Sequence, residues 1–147
     1  MRATLKPVVL IMLAAVVLGA DEPEKPIKLD EQTKIDSYSQ GKITIGGKLI
    51  RTDIVILPDG TVKHPWSTKK RHFLTAEDIP DIIDLELDVL IIGTGRQGLM
   101  KPSPELKKKL KEKKYEVLTL KTAEAIKKLT ALRADGKKVA ACFHIGC

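Results

Sequence analysis

The stretch Asp88-Val89-Leu90-Ile91-Ile92-Gly93-Thr94-Gly95-Arg96-Gln97-Gly98 constrains this chain more than any other. An apolar run without polar alternation passes directly into a glycine-rich turn carrying one cation. Such a run reads as a strand covered on both faces, which requires a sheet sandwiched between layers. The glycines that follow let the backbone turn sharply or approach another group closely.

The turn matches G-x-G-x-x-G letter by letter, but the dinucleotide fingerprint also needs a helix opening inside it and an acid ending the next strand. Here Pro102 and Pro104 postpone the helix until after Ser103, and the next strand ends at Leu120-Lys121. Dinucleotide binding is therefore not expected, and no cofactor is.

The remaining elements follow in order. Residues 104–114 read as a helix opened by Ser103-Pro104, with Leu106 and Leu110 as a narrow apolar stripe. Residues 115–120 read as a strand. Thr122 is placed as the cap of a helix carrying Ala125, Ile126, Leu129 and Leu132 at helical spacing, ended by Asp135-Gly136. Residues 139–145 read as the last strand. This second half is a β-α-β-α-β unit, so its three strands should be parallel neighbours or near neighbours with right-handed crossovers.

Upstream, residues 42–45 and 48–57 around Gly46-Gly47 read as a β-hairpin, and Pro58-Asp59-Gly60 as a second turn. Thr75-Ala76-Glu77-Asp78 resembles a capping box that starts a short helix, limited by Pro80.

Residues 1–20 have the form of an export signal. Arg2 and Lys6 make a positive flank, residues 8–18 are apolar, and Gly19-Ala20 ends the run with small residues. The run is shorter than the ~20 residues needed to span a bilayer, so no stable transmembrane span is expected after cleavage. Residues 21–41 are polar, with Pro23 and Pro26, and read as a flexible linker. The folded domain is expected over 42–147, and the location is exported, periplasmic or secreted.

Aromatics are only 3% of the chain, so aliphatic side chains must build the core. The net charge is +7, of which Arg2 and Lys6 carry two, leaving +5 on residues 21–147. This balance suits an acidic partner as well as plain solubility. Residues 107–114 are densely basic, but they lack interleaved aromatics and match no nucleic-acid module, so no nucleic-acid partner is expected.

Parallel strands bring their carboxyl ends to one edge, where open α/β sheets hold ligands. Three segments should meet there, and they supply the candidate ligand-binding residues Gly93, Thr94, Gly95, Arg96, Lys121, Thr122, His144 and Cys147. Arg96, Lys121 and the outward amides of the helix beginning at Thr122 suit a small anion. The plain alternative is a packed strand edge whose glycines only serve turns.

Cys142 and Cys147 are the only cysteines. Five residues of extended chain span about 17 Å, against the Cα separation of about 6 Å in a disulfide. They can pair only if Ile145-Gly146 turns the chain back; otherwise Cys142 is a small buried hydrophobe. His144 with Cys147 suggests a nucleophile and base, but no third, orienting group is identifiable, so no catalytic residue is assigned. His64, His72 and His144 lack metal-ligand spacing, and no metal is expected.

Residues 41–147 resemble the Mth938-like family, also called the DUF498 domain. The resemblance is carried by Thr52-Asp53-Ile54-Val55-Ile56-Leu57-Pro58-Asp59-Gly60, then Trp66, Arg71-His72, residues 89–95, residues 122–125, and residues 136–147 with the His144-x-x-Cys147 ending. The family's usual Tyr-Asn pair in the last helix is replaced by Leu129-Thr130. The resemblance implies a three-layer α/β fold, with a mixed central sheet, a C-terminal βαβαβ unit and an N-terminal β-hairpin. It implies no established catalytic activity. One eukaryotic branch, mitochondrial complex I assembly factor 3, works as an assembly partner. The functional expectation is thus a non-enzymatic binding or assembly module that meets an unknown protein partner or a small anion. A thiol, redox or other enzyme using Cys147 and His144 is the alternative.

Overall fold

The computed structural model describes residues 25–146, together with Ala3 and Thr4. The expected export signal and Cys147 lie outside the described residues.

A five-stranded mixed sheet forms the middle of the domain. Its strands are β4 (Asp53–Ile56), β5 (Val62–Trp66), β7 (Val89–Gly93), β9 (Glu116–Leu120) and β10 (Val139–Phe143), in the order β5-β4-β10-β7-β9. β10, β7 and β9 run parallel in one register, so Phe143, Gly93 and Leu120 end level with one another. β4 pairs antiparallel with β10, and β5 with β4. The βαβαβ unit thus has the parallel arrangement its crossovers require, and the sheet is mixed.

Every residue of β7 and β10 is buried, and side-chain alternation divides them between two cores. Val89, Ile91, Val139, Ala141 and Phe143 join Ile54 and Ile56 in one core. Leu90, Ile92, Ala140, Cys142 and Val55 belong to the other. Helix α3 (Thr122–Ala134) covers the first face through Ala125 and Leu129, alongside a three-stranded antiparallel sheet of β1 (Ile35–Ser39), β2 (Lys42–Ile45) and β3 (Lys48–Ile50). The second face carries α1 (Pro80–Ile83), α2 (Pro104–Lys111) and the short parallel pair β6 (Phe73–Leu74) and β8 (Lys101–Pro102). The architecture has three layers, and no helix among the described residues is long and apolar enough to cross a membrane.

Several local expectations need correction. The 21–41 linker reading fails from Lys28 onward. Lys28 bridges Thr61, Leu29 is buried, and β1 pairs with β2. Leu29 N–H donates to Gly60 O at 2.8 Å, and both Arg133 guanidinium nitrogens reach carbonyls, Nη1 to Pro58 and Nη2 to Leu29. The physical reason is that Leu29, Ile35 and Tyr38 each find apolar surface in a segment whose average composition is polar. The hairpin read through residue 57 instead ends at Ile50, because the chain crosses at Arg51-Thr52 into the central sheet as β4. The α2 helix stops at Lys111, not 114, where its Leu106/Leu110 stripe has no further apolar residue to dock. Strand β10 ends at Phe143, since Ile145 N–H turns to Asp53 Oδ1.

Candidate functional site

The three expected segments do gather at the carboxyl rim of the sheet. Gly93 O accepts from the His144 amide at 2.9 Å, Leu120 O accepts from the Thr94 amide at 2.9 Å, and Gly146 O accepts from the Arg96 amide at 3.1 Å. Gly93 is fixed by close packing: a Cβ there would lie 2.6 Å from a ring carbon of Phe143 and 3.1 Å from Thr122 Oγ1.

Thr122 departs from its expected role. Lys121 is the N-cap of α3 and Thr122 is the first helical residue, buried completely. Its hydroxyl donates to His144 O at 2.7 Å and accepts from Gly95 N–H at 2.9 Å. The Thr122 amide, expected to face a ligand, donates to Gly95 O at 3.2 Å. The Gly93–Gly98 turn therefore occupies part of the helix N-terminus itself.

The candidate residues separate into two groups. Arg96 lies toward the β1–β2 turn, its Nη1 donating to Gln40 Oε1 at 3.2 Å. The nearby Tyr38 hydroxyl donates to Ile145 O at 3.4 Å, and burial pushes its pKa up. On this side His144 Nδ1 lies 2.8 Å from Asp53 Oδ2, and the ring of His72 meets the His144 ring edge-on at 5.2 Å. His72 has a positive φ of 59°, uncommon for a residue other than glycine. Asp53 is a carboxylate partner of His144 that residue spacing alone did not reveal. Its signals were its place in the family pattern and a lone carboxylate opening the apolar run Ile54-Val55-Ile56, where burial of a charge demands partners. His72 gave no site signal beyond its place in the family pattern.

Thr94 and Lys121 fall in the second group. They line, with Gly98, one end of a groove of about 810 Å³ between α2 and the edge strand β9. Lys101, Lys107, Lys111, Lys113 and Lys121 surround it, and among the described residues no carboxylate lines it. Val117 and Leu120 are half-buried along it, and the buried Leu110, Tyr115 and Met100 lie beneath it. Lys113 is paired with Asp84, whereas the other four lysines have no ion pair among the described residues. Tyr115 is held by donating to Ile83 O at 2.8 Å, and burial followed by the Asp84 charge raises its pKa. The lysines of α2 carry no mark of a groove in the sequence, because it forms only where β9 lies beside them.

Cys142 is fully buried in the second core, and desolvation pushes its thiol far above the ordinary range. It has no disulfide among the described residues.

A family described as proteins of unknown function, DUF498/DUF598, matches residues 35–144. The chain belongs to the Mth938-like (DUF498) family. A Mth938-like fold is shared by protein PH1505 from Pyrococcus horikoshii OT3, 34% identical, with 78% of this chain and 99% of that one covered at a TM-score of 0.68. A protein from Bartonella henselae named as an outer membrane protein is 26% identical over 79% of this chain and 97% of its own, with a TM-score of 0.65. A Mth938-like domain protein from Bordetella pertussis is 19% identical over 81% and 92%, with a TM-score of 0.60, and shares the fold.

Proposed function

We propose that this Mth938-like chain is a non-enzymatic binding or assembly module, exported, that takes an anionic group in the groove between α2 and β9. The carrying observation is the one-sided charge of that groove: four lysines without ion pairs and no lining carboxylate among the described residues, set over apolar surface. A concave site lined by one sign of charge focuses the field and raises the local concentration of the opposite charge. Thr94 and Lys121 belong to this site, whereas Gly93 and Gly95 build the turn beside it and Thr122 anchors that turn to α3. Arg96 and His144 serve the neighbouring rim. Export is supported by the charge and apolar pattern of residues 1–20.

The test is a thermal-shift panel of inorganic phosphate, carboxylates and acidic peptides, since a ligand of the native state raises the melting temperature. The expected result is a rise that Lys107→Glu with Lys111→Glu abolishes. No shift with any anion at millimolar concentration, or a shift unchanged in that variant, removes the groove from the account.

A second reading, a thiol or redox enzyme using Cys147 and His144, is favoured by Asp53. A carboxylate on Nδ1 fixes a histidine's tautomer and orientation, as in nucleophile–base pairs. It requires Cys147 to be alkylated at neutral pH faster than a thiol of pKa about 8.5.

A further inference from the structure

Strand β9 is the edge of the central sheet, and among the described residues no strand pairs with its outer side. The direction of its backbone groups can be read from its ends. Glu116 N–H donates to Asp88 O, and Leu120 O accepts from Thr94 N–H, so these two residues face inward, toward β7 and its continuation. Alternation along an extended strand then turns the N–H and C=O of Val117 and Thr119 outward, to the free edge. The same two residues line the lysine groove. An unpaired backbone edge and a cationic, apolar groove thus lie side by side.

From this juxtaposition we infer that the occupant is an extended, carboxylate-rich segment of a partner protein that adds to β9 as a sixth strand. This rests on the groove being the binding site. The edge supplies main-chain hydrogen bonds that any sequence can make, and the groove supplies selection. Val117, Leu110 and Tyr115 receive apolar side chains, while Lys107, Lys111 and Lys121 select acidic ones. The charge argues against a second copy as the occupant, because residues 21–147 are themselves net positive. Lysines beside an open edge also discourage pairing between like chains.

The experiment uses a short capped peptide alternating glutamate and valine, and the same peptide N-methylated on the amides of one edge. Binding is measured together with hydrogen exchange of the Val117 and Thr119 amides. The expected result is that the first peptide binds and slows exchange at both amides, while the N-methylated one binds more weakly by about two- to tenfold per lost hydrogen bond. Thr119→Pro, which removes an outward N–H on an edge strand, should weaken the first peptide similarly. Where that variant does not fold, the N-methylated peptide still tests strand addition from the other side, through the bonds that peptide amides donate to the outward carbonyls of β9. Equal binding of both peptides without slowed exchange overturns strand addition while leaving the anion groove intact. Phosphate or carboxylate binding with no peptide binding does the same. Absence of binding by every anion and peptide removes both. Concentration-dependent slowing at Val117 and Thr119 without peptide assigns the edge to a second copy and overturns the inference.

Discussion

His144 Nδ1 and Asp53 Oδ2 meet at 2.8 Å, although 91 positions of sequence separate them. The other oxygen of the same carboxylate accepts the Ile145 amide at 2.8 Å. One aspartate at the start of β4 therefore holds the chain that leaves β10, at the rim where the glycine turn also ends. Both side chains are 16% exposed, so neither group is freely hydrated.

Asp53→Ala removes the acceptor of the buried Ile145 amide and the carboxylate beside His144 Nδ1. The expected loss is about 1–3 kcal/mol of unfolding free energy. Asp53→Asn, which keeps one acceptor oxygen, should lose less. Urea unfolding measures both, and an alanine variant as stable as wild type would contradict the pairing.

Gly93→Ala places a methyl group 2.6 Å from the Phe143 ring. Overpacking of this kind destabilises by about 1–3 kcal/mol. Trimming the ring in the Gly93→Ala, Phe143→Leu double variant should recover part of the loss relative to the sum of the single changes. Strict additivity in a double-mutant cycle would show that the two positions do not touch.

How much of this was readable beforehand depended on the distance over which each signal acts. β7 and β10 were legible because a strand buried on both faces must be continuously apolar, and Val89–Gly93 and Val139–Phe143 are. Helix α3 was legible from Ala125 and Leu129 at helical spacing. β1 was not, because in Ile35–Ser39 only Ile35 and Tyr38 pack on the core and the other three residues are polar and exposed. The meeting of Gly93, Thr122 and His144 followed from parallel topology alone. Asp53 did not, since the antiparallel placement of β4 beside β10 leaves no local mark. The groove was equally hidden, because its lysines come from β8, α2 and the residues flanking β9.

Acid should expose the turns that hold the N-terminal segment. Asp30 accepts the Gln32 and Thr33 amides, and Asp59 accepts the Thr61 amide. These backbone hydrogen bonds lower both carboxyl pKa values from 3.8. A depressed folded pKa gives stability that is complete above 3.8 and is lost as pH falls through the folded value. The Asp30→Ala, Asp59→Ala variant should therefore melt below wild type at neutral pH, with the gap closing as pH drops below 3.8. A gap that widens in acid would reverse the assignment.

Cys142 should resist alkylation in the folded protein, since its thiol is buried and held protonated by desolvation. Its modification should track global unfolding across a urea series. Mass spectrometry that finds Cys142 labelled in native buffer as fast as a free thiol would contradict its place in the core.

The central claim is that the groove beside β9 binds through its lysines. The most direct measurement is titration of the wild-type chain and the Lys107→Glu, Lys111→Glu variant with the glutamate–valine peptide at two salt concentrations. The account predicts saturable binding to wild type that weakens with added salt, and none to a variant whose melting temperature is unchanged. Binding that survives both charge reversals, or that ignores salt, would contradict it.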